Sequence, residues 1–584
     1  MQIDTYNARE KGKRKMKKRF LLTLLAITIS IISLGTISAS AETEGIYTYT
    51  VSNGEATITA GSAIGPITIP ATLGGYPVTA IGSSAFSYCS SLSSVIIPDS
   101  VTTIGSYAFY RCGDLSSITI PDNVKSIGDY AFYECYDLMN ITIPDCLTSI
   151  GKYAFGHCGF SSITIPDGVT RIEKGAFYSC SSLKNVTIPD SVTSIGIQAF
   201  SGCRFDSITL PDGLTTIEKE AFALSSLKSI TIPDDVTRIE QGVFRECTEL
   251  NNITLSNSLT SIGYEAFSGC SDLRRITIPD SVTGIGGNAF AGCKSLYNIT
   301  IPDSVKSIGS GAFHLCYGAT VNITDLEAWC NIDFGAYNSN PLYPGGKLYL
   351  NGTLMTNIAI PDSVTSIGDC AFAYCKSLVN IIIPDSVKSI GAFAFQSCAN
   401  LESVTIPDGI TSVGERTFSE CSSLESITIP DGVTSIGNHA FFGCSSLESI
   451  TIPDSVTGVG KYAFYNCNSL DVYYRGREDD WNKIYIAENN SALKNANISF
   501  IYPRTETALS NNNKSFAIKP INIETGKTVI LALYNGEQFV EMQNAVYAGE
   551  AVPFTTTKEY TNAKVMVWNS LSDLKPLCDV EIVK

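Results

Sequence analysis

Cysteine stands at one position of a repeated phrase in fifteen copies, from Cys89, Cys112 and Cys135 through to Cys467. In a chain with export features such a column would ordinarily suggest disulfides. The total of nineteen cysteines is odd, however, and Cys146, Cys330, Cys370 and Cys578 lie outside the column. Column neighbours could be close enough in Cα distance, yet their side chains would point the same way, into a core. The expectation is buried free thiols that act as small apolar fillers. The histidines His157, His314 and His439 lie in separate copies, too far apart to converge, and surface positions are expected for them. No nucleophile elbow, phosphate loop or zinc-spaced Cys/His set occurs. Gly284–Ala289 (GIGGNA) imitates a dinucleotide fingerprint but falls inside the repeat register. An active site needs several unlike groups at one place, whereas a repeated lattice offers identical groups at intervals. The chain therefore reads as non-catalytic and without a cofactor. Fourteen aspartates, beginning with Asp99, Asp122, Asp145 and Asp167, also form a column. Side-chain caps on turn amides are the expected role; a calcium-binding edge is the alternative, since hard cations seek several carboxylate oxygens.

The elements that hold these columns follow from the repeat. The proline of I-x-I-P recurs at 70, 98, 121, 144, 166, 189, 211 and 233, gives way to Ser256, and resumes at 279, 302, 361, 384, 407, 430 and 453. Most spacings are 23 residues, a few are 22 and one is 59, which makes sixteen copies, eleven before the long gap and five after it. Within a unit, alternation in "ESITIP" signals a strand with one buried face. Proline ends it, because it has no amide to donate to a ladder. Val and Ile three residues apart then point inward, and a glycine such as Gly82 or Gly437 suits a bend. Glu173, Glu218 and Glu240 replace that glycine, so positive φ is not strictly required there. The A-F pair supplies a phenylalanine spine from Phe86 to Phe464. One such unit cannot bury its own apolar face, but stacked copies can. With strands about 4.8 Å apart, sixteen copies would span roughly 75 Å: an extended surface rather than a pocket.

The consensus L-x-x-I-x-I-P-D-x-V-x-x-I-G-x-x-A-F-x-x-C resembles the leucine-rich repeats of BspA-type bacterial surface proteins, over roughly residues 46–502. That resemblance implies an exported protein serving attachment or contact with host proteins. The expected fold is an α/β solenoid: a leucine-rich repeat array with a parallel β-sheet on one face, capped ends, and a small C-terminal all-β sandwich domain.

The segments between and beyond the repeats divide the chain further. Residues 1–41 have a basic stretch, an apolar run from Phe20 to Leu34 and the small-residue site Ala39-Ser40-Ala41, the layout of a secretory signal peptide. Its removal would take away eight basic and two acidic residues and move the formal charge from −16 to −22. So acidic a chain is a poor candidate for nucleic acid, and no membrane span is expected after the signal. Residues 42–66 are expected to form a hairpin cap turning at Asn53-Gly54. Repeats fill 67–318 and 358–470, and variant Trp-containing segments occupy 319–357 and 471–503, read as one unit used twice to close each array. Trp329 with Tyr337 and Tyr343 is read as core, with a ligand platform as the alternative. Residues 504–515 read as a linker and 516–584 as a β-sandwich accessory domain with a turn at Asn535-Gly536.

Departures from the consensus are the candidates for recognition. Arg274, Arg275 and Tyr297 fall in neighbouring copies where Ser, Asn or Lys is usual, and Glu402, Glu425 and Glu448 are spaced 23 apart as an acidic stripe. Charge runs are usually solvated faces, but phased irregularities are what would make a repetitive face selective. The functional expectation is a secreted or cell-surface monomer that binds an extracellular protein through an extended face. A glycan-binding or envelope-associated module of an exported enzyme system is the alternative.

Overall fold

The structure, a computed structural model, describes residues 40–468, 470–501 and, beyond these, 504–510, 515–521, 527–535, 538–556, 562–568 and 581–583. The expected signal peptide lies outside them, apart from Ser40 and Ala41, as do Cys578 and the Gly536 of the expected turn. The chain winds as a parallel-strand, leucine-rich-repeat-type solenoid of about 19 turns. It divides into compact units at residues 1–192 and 193–584.

In the first unit, Tyr47–Ser52 and Glu55–Gly61 form an antiparallel hairpin around Asn53 and Gly54, both with positive φ. Glu55–Gly61 passes the ladder in parallel to Tyr76–Ile81. Each coil then contributes two short strands rather than the one expected. Leu92–Ile96, Ser117–Thr119 and Asn140–Thr142 stack in register as one ladder. Thr103–Ile104, Ser126–Ile127 and Ser149–Ile150 stack as the other. Alternation turns Ile118 inward, with Val124, Ile127, Phe132, Cys135 and Leu138 buried behind the next coil's strands.

The expected helical layer is absent among the described repeats, and the reason lies in backbone sign. Two residues per coil, such as Tyr107 (φ 59°) and Arg111 (φ 60°), take the left-handed region, and in several coils one of the two is a glycine, as at Gly175 and Gly269. A right-handed helix cannot run through them. Amides alternate instead: Tyr107, Phe109 and Arg111 donate to Asp129, Ala131 and Tyr133 of the next coil at 2.8 Å, while Ala108, Tyr110 and Cys112 donate within their own coil. The described α-helices are short, Leu326–Cys330, Glu478–Trp481 and Ser491–Lys494.

Where glycine follows the inward Ile, close approach and not its φ accounts for it; Glu173, Glu218 and Glu240 stand there in three coils. A Cβ on Gly128 would meet the Ser106 amide nitrogen at 2.4 Å and the Gly105 carbonyl carbon at 2.7 Å. All fourteen aspartates are exposed; Asp234 accepts the Asn257 amide of the next coil at 3.1 Å, and where a serine follows the aspartate it too ties coil to coil. Ser100 donates to the Val78 carbonyl at 2.7 Å, and Ser304 to that of Val282 at 2.7 Å.

In the first unit, Phe86, Phe109, Phe132 and Phe155 stack with ring centroids 5.3–5.4 Å apart. Phe155 to Phe177, a 22-residue coil, opens to 5.8 Å. The second unit repeats this: 5.2 Å for Phe267–Phe290 across 23 residues, but 5.7 and 5.8 Å for Phe200–Phe222–Phe244 across 22. In two of these short coils Phe160 and Phe205 take the place of the usual Leu and pack edge-on against Phe155 and Phe200.

The eighteen described cysteines form no disulfide, and most are buried. The column is more than filler. Cys135 Sγ donates to the Phe109 carbonyl at 3.2 Å, Cys270 to Phe244 at 3.1 Å and Cys444 to Phe418 at 3.1 Å. Each of these carbonyls already accepts the amide of its own coil's cysteine, so the thiol takes the second lone pair. Burial pushes the Cys112 and Cys180 thiols up to about 12.

In the second unit the variant segment at 319–357 adds turns instead of closing an array. Thr320–Ile323 pairs with Asn298–Ile301 on one side and Lys347–Leu350 on the other. Its Cys330 carbonyl accepts from Gly368 of the following coil at 2.8 Å. The Trp481 segment is built alike, with a short helix ending at the buried Trp, a two-residue strand at Tyr485–Ile486 and a buried asparagine. Asn490 donates to the Gly460 carbonyl at 2.9 Å, as Asn340 does to Cys370 at 2.8 Å.

Arg504–Ser510, expected as linker, is a strand paired antiparallel with Ser515–Ile521, which pairs with Val552–Thr555. A second antiparallel sheet runs Gln538–Val546, Thr528–Asn535, Asn562–Trp568 and Glu581–Val583. Val529, Leu531, Leu533, Val552, Phe554 and Val565 share one buried cluster.

Candidate binding face

Outward positions of the first strand ladder form the surface on which the candidate residues lie. In Arg275–Thr277 the burial pattern is exposed, buried, exposed, so Ile276 faces the core while Arg275 and Thr277 face out. Arg275–Thr277 pairs in register with Asn298–Ile301, and the Tyr297 amide donates to the Arg274 carbonyl at 3.1 Å. Arg274, Arg275 and Tyr297 thus come together, lining one shallow hollow of about 380 Å³ with Asn251, Asn252 and Asp272. Asn252 also lines a second trough of about 360 Å³, whose wall includes Ser207, Thr209, Ser229 and Thr231.

Electrostatically the hollow is open for business with an anion only because its guanidiniums are unspent. Several arginines elsewhere are engaged: Arg111 with Glu134 at 2.9 Å, Arg245 with Glu220 at 3.3 Å and Arg475 with Asp431 at 2.7 Å. Arg274 and Arg275 have no side-chain hydrogen bond or ion pair among the described residues. Tyr297 is 54% exposed and packs on no other ring there.

Glu402, Glu425 and Glu448 are exposed at the starts of successive strands. The Glu448 amide donates to the Glu425 carbonyl at 2.9 Å, so these two are adjacent rungs. They line neither hollow. Asn251, Asn252 and Asp272 were not singled out by sequence. Asn is an ordinary residue at its position, and the only signal was the 23-residue step from Asn251 to Arg274 and from there to Tyr297.

Sequence reasoning also missed a tyrosine ridge in the first unit, although the phrases SYAFY, DYAFY and KYAF announce it. Tyr107, Tyr130 and Tyr153 stack at 5.0 Å intervals, with Tyr110 and Tyr133 stacked beside them at 5.7 Å. Burial pushes Tyr133 up to about 12, with Glu134 adding to it. The histidines are not simple surface residues. His157 is half-buried, edge-on to Tyr133 and Tyr178, and burial lowers its pKa. His439 lies flat on Tyr462 at 5.0 Å, also with a pKa lowered first by burial. Trp329 is core: it is 1% exposed and its indole donates to the Ala371 carbonyl at 2.9 Å. Tyr337 and Tyr343 pack with Tyr374.

Among the described residues, no group of three or more His, Cys, Asp or Glu is placed to hold a metal ion. No described helix is long and apolar enough to cross a membrane.

Residues 61–184, 170–294, 215–332 and 346–471 match the family described as "BspA type Leucine rich repeat region (6 copies)". Among solved structures the chain is similar to a leucine-rich repeat protein from Bacteroides ovatus, with 28% identity over 79% of this chain and 99% of that one, TM-score 0.42. It is also similar to a leucine rich cell surface protein from Faecalibacterium prausnitzii, with 31% identity over 76% and 97% of the two chains, TM-score 0.32. No curated protein matches it.

Proposed function

Because the chain belongs to the BspA-type leucine-rich repeat family, we propose that it is an exported or cell-surface protein that contacts other proteins through the outward columns of its strands. The observation that carries this reading is the break in an otherwise regular lattice, where Arg274, Arg275 and Tyr297 converge and Glu402, Glu425 and Glu448 follow one another up the coils. A family that is generally non-catalytic, together with the separation of His157, His314 and His439 into different coils, supports a binding role without a cofactor. The aspartate column is assigned no calcium; melting with calcium and with chelator should give one midpoint. The working form is a secreted or surface-retained monomer.

Capture from host matrix proteins with the full chain, followed by joint reversal of Glu402, Glu425 and Glu448 to Lys, tests the proposal. Loss of the captured partner supports it; undiminished capture removes the acidic stripe from the interface. The second reading, a glycan-binding or envelope-associated module, is favoured by the polar character of the hollow. For residues 516–584 we infer a β-sandwich accessory domain, supported by a buried cluster that draws Leu531 from one sheet and Phe554 from the other. Deleting residues 504–584 should abolish surface retention if that domain docks the array.

A further inference from the structure

We propose that the hollow at Arg274, Arg275 and Tyr297 is a binding site for a carboxylated glycan, one that presents uronic acid residues among ordinary hydroxyls. The proposal goes beyond the protein-contact reading and does not depend on it. Three features of the lining point the same way. Arg274 and Arg275 are adjacent, exposed and without a partner among the described residues, in a chain of net charge −16. A guanidinium fork matches a carboxylate through paired N–H donors. Two such groups left free in an acidic protein select an anion locally, against the overall charge.

The second feature is Tyr297, whose ring is exposed and unstacked. It offers an apolar face beside the charges, suited to the C–H face of a pyranose. Third, the remaining lining groups are matched to hydroxyls. Asn251 and Asn252 each supply both a donor and an acceptor, and Asp272 is an acceptor that needs a donor. A sugar acid brings carboxylate and hydroxyl donors together, whereas a run of acidic side chains would set its charges against Asp272. Beyond Asn252, the trough lined by Ser207, Thr209, Ser229 and Thr231 extends the site with hydroxyls, the carboxylate of Asp212 and no basic residue. The geometry thus suits an oligomer with its acid at one end of the contact and neutral hydroxyls along the rest.

Titration calorimetry of the full chain in about 0.15 M salt, with a xylopentaose bearing a single glucuronic acid as probe, tests this directly. Maltohexaose serves as the neutral control and hexaglutamate as the acidic peptide control. The expected result is binding of the glucuronate-bearing xylopentaose at least tenfold tighter than either control. The double variant Arg274→Gln/Arg275→Gln should lose at least tenfold in affinity, and Tyr297→Ala several-fold, with melting temperatures unchanged. The joint replacement of Glu402, Glu425 and Glu448 by Gln should leave binding as it was. No binding of the glucuronate-bearing xylopentaose, equal binding of hexaglutamate or maltohexaose, or full affinity in the double arginine variant would each overturn the assignment. Because protein capture is read separately through the glutamate stripe, failure here and failure of the protein-contact reading are distinguishable.

Discussion

Tyr130 and Tyr297 are both tyrosines on a repeated coil, and their circumstances are opposite. Tyr130 sits between Tyr107 and Tyr153 with a ring 5.0 Å away on each side, so its faces are used in the stack. At the edge of the same ridge, Arg111 lies 5.3 Å from the Tyr110 ring and pairs with Glu134 at 2.9 Å. At the hollow, which Asp272 also lines, Tyr297 has no ring neighbour and Arg274 and Arg275 make no ion pair among the described residues. The comparison teaches that exposure alone is a poor guide to recognition. A residue type repeated at every coil satisfies itself, because the coil spacing matches the stacking distance of its own ring. The same residue type placed once is left with its chemistry unspent.

The sharpest way to break that comparison is to cut beneath the ridge. Phe132→Ala, in the stack behind it, should lower stability by about 3–5 kcal/mol, read by thermal or urea unfolding. Tyr130→Ala should come next, at about 1–3 kcal/mol, since it loses two ring stacks; oligosaccharide binding at the hollow should be unaffected. Cys270→Ala should cost about 1 kcal/mol, the sum of a small void and a weak donor to a carbonyl that keeps its other hydrogen bond. Tyr297→Ala should change stability by less than about 0.5 kcal/mol, as a surface substitution does. If Tyr297→Ala destabilised as much as Tyr130→Ala, the distinction between the two regions would collapse.

A pH profile gives the smallest and most specific effect. Burial holds His157 below its ordinary value of 6.5. The unfolded chain therefore takes up a proton that the folded chain refuses, and that contribution to stability is intact above 6.5 and lost as the pH falls below it. Melting temperatures at pH 7.5 and 5.5 should differ less in His157→Phe than in the parent chain. A larger difference in the variant would contradict the assignment.

Much of the fold was legible because period-two alternation reports burial directly, as Ser117-Ile118-Thr119 does with its exposed–buried–exposed pattern. The back of the coil was not, because Tyr107 and Arg111 take left-handed conformations that nothing in their side chains announces. The usual glycine misled for a related reason: its role is to admit the backbone of the neighbouring coil, which is a property of stacking and invisible within one repeat. Serine and aspartate at the corner after each proline are equally polar, and only the coil-to-coil distance shows that Ser100, Ser304 and Asp234 reach the neighbouring coil. Of the hollow, the residues that broke the pattern could be read, but Asn251 and Asn252 looked like the pattern itself.

The thiol ladder has a mechanical consequence. Each bond, such as Cys135 to Phe109 or Cys270 to Phe244, reaches back 26 residues and no further, and the described cysteines form no disulfide. Pulled from its ends, a run of such coils has no staple to bear the load beyond the nearest neighbour. It should yield one coil at a time, each 23-residue turn paying out roughly 80 Å of extended chain. An array of this kind is a shock absorber whose step length is written in its repeat.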